Sequence, residues 1–340
     1  MVREERALGR KAKSGKMKSA GLGKHKQKQA GEIAWAVDPF DASGETARGM
    51  AQLIAPWQKA LGWNVRPIAI VPAVRALFAR DSEELLNSEM ERSTAALLEA
   101  AVKNSGVEAG LEPIVAVAGK SSRSQLARRF IEVAQKDGAQ IAAVAAHARK
   151  GFERWRLGSF AEALINWSTI PALIATPRAR ISGQVERILF PVDFSFDAKR
   201  AFARLLPWAE RLGAEIVVFH QVENPVPPQV YEGLSMGLDP SVIDDLMRAE
   251  EERCERRLRA WQVAAEAHGV RCVARLGKSR DTVAGAIVEA AQEDGASLIA
   301  AWTRGGAGHR LLGSVARDVM LEARQPVLIM HARGGGGAKK

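Results

Sequence analysis

Short apolar runs bounded by turn residues alternate along this chain with longer stretches whose apolar positions recur every three or four residues. In the second half, 188–192, 215–222, 270–275, 297–301 and 326–330 have the length and content of strands. Between them, 198–212, 241–268, 282–293 and 314–323 carry the helical period. The 241–268 stretch follows Asp239 and Pro240, both helix-start signals, and sets Ile243, Met247, Cys254, Leu258, Trp261 and Ala265 on one face. The first half follows suit, with strands near 33–37, 64–72, 113–118, 140–146 and 171–176. A long helix at 81–103 opens with the capping pattern Asp81-x-x-Glu84. Such alternation predicts right-handed crossovers and a parallel sheet covered on both faces, so each half is expected to be a five-stranded α/β sandwich.

The two halves are one unit written twice. Asp38, Gly158-Ser159 and Pro171 recur 155 residues on as Asp193, Gly313-Ser314 and Pro326. IAWAVDPFD (33–41) faces ILFPVDFSFD (188–197), IAPWQKALGWNV (54–65) faces LLPWAERLGAEI (205–216), and IPALIATP (170–177) faces QPVLIMHA (325–332). The gaps between landmarks vary, which marks a duplicated domain rather than a short-period solenoid. A length of 340 residues suits two domains, expected at 31–179 and 184–333.

Charge is unevenly placed. Residues 1–30 carry ten Lys and Arg against Glu4 and Glu5, so of the net +10 only +2 belongs to the rest of the chain. Poor in apolar residues, this segment is expected to be disordered. It reads as an arm for nucleic acid or anionic lipid, as a solubilising tail, or as an extension ahead of a start at Met17 or later; no aromatic residue is interleaved to stack bases. Residues 334–340 read as a second flexible tail. No run approaches the roughly 18 apolar residues of a membrane span and no secretory signal opens the chain, so the cytoplasm is the expected location. Cys254 and Cys272 lack a Cys or His at metal-ligand spacing and read as buried, reduced thiols.

Ligands of such sheets sit at the carboxyl ends of the strands where the strand order reverses, and phosphates favour helix N-termini. Two places in each half qualify. Asp38 or Asp193, ending the first strand, can accept hydrogen bonds from a base or ribose, or can simply close a turn. Gly158-Ser159 or Gly313-Ser314, opening the helix after the fourth strand, can hold a phosphate, or can be a tight turn with a Ser cap.

These residues resemble a family. VDFS (192–195), ASLIAAWTRGGAGHRLLGSVARDVM (296–320) and PVLIM (326–330) look like a universal stress protein domain, and so do AVD (36–38), AQIAAVAAHARKGFERWRLGSFAE (139–162) and IPALI (170–174). The resemblance implies two tandem Rossmann-like, adenine nucleotide alpha hydrolase-like domains of strand order 3-2-1-4-5, paired about a pseudo-two-fold axis through their last strands. It also implies ATP or another adenine nucleotide, with Mg if ATP binds. Asp193, Gly305, Gly313, Ser314 and Val315 would then contact it in the second half, and Asp38, Gly158 and Ser159 in the first. The family's loop has the form Gly, two residues, Gly, nine residues, Gly-Ser/Thr. Here Ala145 and Ala148 take the first two Gly positions in the first half, where a methyl disfavours positive φ. In the second half Trp302 takes the first, where its indole can fill nucleotide space, and seven residues separate Gly305 from Gly313.

Arg304, His309 and Arg310, like Arg149, Lys150 and Arg154, can serve phosphates or form a solvated basic loop. His147 and His220 read as structural histidines, and the Trp residues as core. The Pro- and Gly-rich stretch 223–238 reads as a connection, a flap or a partner surface. Three functions remain: a non-enzymatic stress-response module binding or sensing adenine nucleotide in the second half, a protein-interaction stress factor with both sites lost, and a nucleotide phosphate hydrolase. The first is carried forward. Beyond the internal pairing, a homo-oligomer stays open.

Overall fold

The strands near the middle of the chain's sheet are apolar along almost their whole length, which is the signature of a strand covered on both faces. The computed structural model describes residues 31–74, 80–119, 122–146, 158–222, 226, 229, 239–277, 282–303 and 312–331. In the first half these form β1 (Glu32–Ala36), α1 (Glu45–Leu61), β2 (Asn64–Pro72), α2 (Arg80–Ser105), β3 (Ile114–Ala118), α3 (Arg123–Lys136), β4 (Ile141–Ala145), α4 (Ser159–Trp167) and β5 (Ala172–Ala175). In the second half they form β6 (Arg187–Pro191), α5 (Phe196–Leu212), β7 (Glu215–Gln221), α6 (Ser241–Glu266), β8 (Cys272–Gly277), α7 (Val283–Glu293), β9 (Leu298–Thr303), α8 (Ser314–Glu322) and β10 (Val327–His331).

Strand parity sorts the core into two layers. Ile33, Trp35, Ile141, Ala143 and Leu173 face α1 and α2, together with Phe190, Ile216 and Leu328 on the α5 and α6 side. Ala34, Ala142, Val144 and Ile174 face α3 and α4, and Leu189, Ile299 and Ile329 face α7 and α8. Within each half the strands are parallel in the order 3-2-1-4-5, as expected.

The halves join into one ten-stranded sheet, β3-β2-β1-β4-β5-β10-β9-β6-β7-β8. β5 and β10 pair antiparallel, with Leu173 opposite Leu328, so the chain contains its own pseudo-dimer. Across the join Trp208 of α5 stands edge-on to two indoles of the first half. Its ring centre lies 5.8 Å from those of Trp57 and Trp63, at 83° and 90°. Arg211 donates to the Leu61 carbonyl at the end of α1 (2.5 Å), tying one helix C-terminus to the other half.

Local chemistry explains most helix ends. Gly62 and Gly213 stop α1 and α5 in the left-handed region, at φ 63° and 66°, which only glycine adopts without strain. Ser195 and Thr282 cap α5 and α7, their hydroxyls accepting from the Ala198 and Gly285 amides. Asp239 accepts from the Ser241 amide ahead of α6, as its start signal predicts. The Asp81–Glu84 pattern, by contrast, is not a cap: α2 begins at Arg80, so Asp81 lies inside the helix. On α6 the expected face holds for Cys254, Leu258, Trp261 and Ala265, which are buried, while Ile243 and Met247 are only half-buried near the helix start. The segments 1–30 and 334–340 lie outside the described residues, as does 223–238 apart from buried Val226 and exposed Gln229. No helix among the described residues is long and apolar enough to cross a membrane.

Candidate functional site

β6 and β9 are neighbours, with Ile188 beside Leu298, yet their following helices pass to opposite faces of the sheet. That divergence opens a crevice at the carboxyl ends of the two strands. Asp193 follows β6 directly at this end of the sheet, and Gly313-Ser314 opens the helix that follows β9.

The Asp193 turn is held firmly. Asp193 Oδ1 accepts from the Ser195 amide (2.9 Å), and the side chain is exposed, with no protein partner for its second oxygen among the described residues. Phe194 next to it has φ 59°, the one non-glycine positive φ among the described residues. This conformation costs an aromatic residue on the order of 1 kcal/mol, so something must retain it. The ring is buried, 4.3 Å from the His220 ring, with the Arg257 guanidinium 4.0 Å over it. His220 Nδ1 in turn lies 2.8 Å from the Val192 carbonyl. His220 is therefore a structural histidine, and the buried Phe194 ring leaves the carboxylate before it facing solvent.

In the first half, Asp38 Oδ1 accepts from the Phe40 amide (3.0 Å), but Pro39 follows it and cannot adopt positive φ. The turn is continued instead by Asp41, whose carboxylate accepts from Ser43 and Thr46. Burial pushes against the Asp41 charge, yet these hydrogen bonds hold its carboxyl below the usual range.

The second rim is a helix start without a side-chain cap. Gly313 precedes α8 at φ −57° and ψ 147°, and Gly158 precedes α4 at φ −59° and ψ 131°. Glycine, not serine, is thus the capping residue in both halves; Ser159 and Ser314 are the first residues of their helices. A Cβ placed on Gly313 would meet nothing within 4 Å among the described residues, whereas at Gly31 or Gly277 it would collide with side chains at 2.4 Å. Packing against the described residues does not account for the glycine at 313. Ser159 Oγ accepts from Arg123 (2.9 Å), while the Ser314 hydroxyl has no protein partner among the described residues. Val315 follows, exposed, in the first turn of α8.

Trp302 is the penultimate residue of β9, beside Met330, and its half-buried indole packs on the core beneath α5. Ala145, its counterpart, ends β4 in extended backbone, so no positive φ is demanded of it. Ala148, His147, Arg149, Lys150, Arg154, Arg304, Gly305, His309 and Arg310 lie outside the described residues. Among the described residues no group of three or more His, Cys, Asp or Glu could hold a metal ion.

Two features escaped the sequence reading. One is an apolar groove of about 390 Å³ between α5 and α6, walled by Phe194, Phe202, Leu206 and Trp261 with Lys199 and Arg257 at its edge. Its walls come from helices far apart in sequence, and only the period of α6 hinted at one side. The other is a bond from Asn166, on α4, to the Leu312 amide (2.9 Å) beside Gly313.

Both cysteines are buried and free in the second half. Burial pushes the Cys254 thiol up to about 11, helped by its bond to Glu250, and the Cys272 thiol up to about 12. Neither is a thiolate at neutral pH.

Known proteins share this arrangement. A universal stress protein from Archaeoglobus fulgidus DSM 4304 is 18% identical and superposes with a TM-score of 0.61, over 91% of this chain and 98% of its own. A protein of unknown function from Pseudomonas aeruginosa PAO1 is 15% identical at TM-score 0.54, over 89% and 93%. A universal stress protein family member from Burkholderia pseudomallei is 31% identical at TM-score 0.33, over 43% of this chain and 95% of its own. The search of curated proteins gave no match. The family model of the universal stress proteins matches twice, at residues 33–176 and 184–331. With the duplicated strand order and the paired last strands, those two matches leave one conclusion: this chain is a tandem member of the universal stress protein family.

Proposed function

We propose that this protein is a non-enzymatic stress-response module that binds an adenine nucleotide in its second half, at the crevice between β6 and β9. The observation that carries this reading is the difference between the two rims of that crevice and their counterparts. Asp193 offers a free carboxylate oxygen at one rim, and the start of α8 offers backbone amides without a side-chain cap at the other. A ribose hydroxyl or an exocyclic amine donates to Asp193. The N–H groups of the first α8 turn, Val315 among them, hold a phosphate, favoured by the positive end of the helix. Gly313 leaves room for that phosphate, since a Cβ there would meet none of the described residues. Mg, where ATP is the ligand, would be held through the phosphates.

The first half is the poorer candidate. There Pro39 follows Asp38 and cannot take the positive φ that Phe194 has, and Arg123 already holds the Ser159 hydroxyl in place by donating to its oxygen. Trp302 supports a second reading, a protein-interaction factor without nucleotide, because its indole stands where the family's loop has its first glycine.

Calorimetric titration of Mg-ATP and Mg-ADP into the full chain separates the two. We expect about one equivalent of nucleotide, lost in Gly313→Val and weakened at least tenfold in Asp193→Ala, with the fold unchanged in both. Absence of heat at millimolar nucleotide would favour the interaction reading. Turnover abolished by Asp193→Ala would make the protein an enzyme.

A further inference from the structure

α8 is gripped at both ends by the first half of the chain. At its start, Asn166 Oδ1 accepts from the Leu312 N–H (2.9 Å), one residue before Gly313. At its end, the buried Thr176 hydroxyl, just beyond β5, donates to the Ala323 carbonyl (3.0 Å), with the Gln325 carbonyl at 3.3 Å. The Arg180 N–H donates to the Arg324 carbonyl (2.7 Å).

We infer that the first half acts as a positioning subunit for the second: through Asn166 and Thr176 it fixes the direction and register of α8, and so sets how well the first α8 turn binds a phosphate. This deepens the nucleotide reading and rests on it. The physical need is plain. α8 has nine residues, a length at which a helix is unstable alone and takes its place from packing. A binding constellation must be held to about 0.5 Å, and the amide of Leu312 is the last anchor before the phosphate-facing turn. The Asn166 contact has no mirror image at the equivalent position. The position 155 residues after Asn166 is Leu321, whose side chain cannot accept a hydrogen bond. The first half thus contributes through Asn166 a side-chain acceptor that the equivalent position of the second half lacks, as expected if one site is in use and its twin has become support.

The test is residue-resolved hydrogen exchange on the full chain, run beside the same nucleotide titration, with Asn166→Leu, Asn166→Ala and Asn166→Asp. Losing a part-buried neutral hydrogen bond should speed exchange of the Leu312 and Arg317 amides about three- to tenfold in the Leu and Ala variants, and weaken nucleotide by a similar factor. Asn166→Asp keeps the acceptor and should exchange like wild type. Thr176→Val, at the far end of α8, should speed Arg317 exchange and weaken nucleotide in the same direction. Unchanged exchange in Asn166→Leu and Asn166→Ala overturns the inference, as does unchanged affinity where wild type binds. If wild type binds no nucleotide, the functional reading falls on that result alone. The exchange data then still decide whether the first half positions α8.

Discussion

The two halves of this chain agree where side chains are buried and diverge where strands end. Trp57 and Trp208 follow equivalent prolines in α1 and α5, and they meet edge to face across the join. A cross-strand ion pair ties the first two strands in each half, Arg66 to Glu32 in one and Arg187 to Glu215 in the other, with the charges exchanged between strands. At the carboxyl rim the likeness stops. Phe194 is held at positive φ where the first half has Pro39, and Arg123 donates to Ser159 where the Ser314 hydroxyl has no protein partner among the described residues. Packing constrains a duplicated core because each buried methylene is worth roughly 0.8 kcal/mol, whereas an exposed rim can change at little cost. The rim is therefore where two copies of one fold can take different work.

Equivalence of the two tryptophans is the part of this comparison that is easiest to break. Trp57 is fully buried and Trp208 half-buried, so the pair is symmetric in sequence but not in environment. Trp57→Ala should cost about 3–5 kcal/mol and Trp208→Ala clearly less, measured by guanidinium unfolding at 25 °C. Equal losses would mean that the join, rather than the first core, is what Trp57 supports.

A smaller effect should appear with pH, because both thiols lie in the second half. Their folded pKa values, about 11 and about 12, exceed the unfolded value of 9.0. Below pH 9 both states keep their protons and stability is level. Above it the unfolded chain ionises first, so it binds fewer protons and stability falls as pH rises, until the folded pKa is passed. Denaturation monitored between pH 8 and 10.5 should show that slope, and Cys254→Ala with Cys272→Ala should flatten it. A slope that survives both changes would have another source.

Much of this was legible in the chain because apolar period and turn residues are local signals. The sheet order followed from the alternation of strands and helices together with the family resemblance. The site was legible only as landmarks. That Gly313 rather than Ser314 precedes the helix depends on where the backbone turns, and composition does not record it. The strained Phe194 was hidden because an aromatic at positive φ contradicts local preference and is retained by His220 and Arg257, which lie far along the chain. Asn166 was invisible for a related reason: its partner is a backbone amide in the other half, 146 residues away.

The smallest expected effect bears most directly on why the rims differ. Arg123 and Ser159 meet at an exposed surface, where such a bond contributes well under 1 kcal/mol. Arg123→Ala should therefore shift stability by less than about 0.5 kcal/mol in the same denaturation assay, while leaving Ser159 and the start of α4 as open as Ser314 and the start of α8. If the cost instead approached 2 kcal/mol, the bond would be part of what holds α4 in place. The Arg123 contact would then be a structural requirement of that half rather than the mark of a site given up.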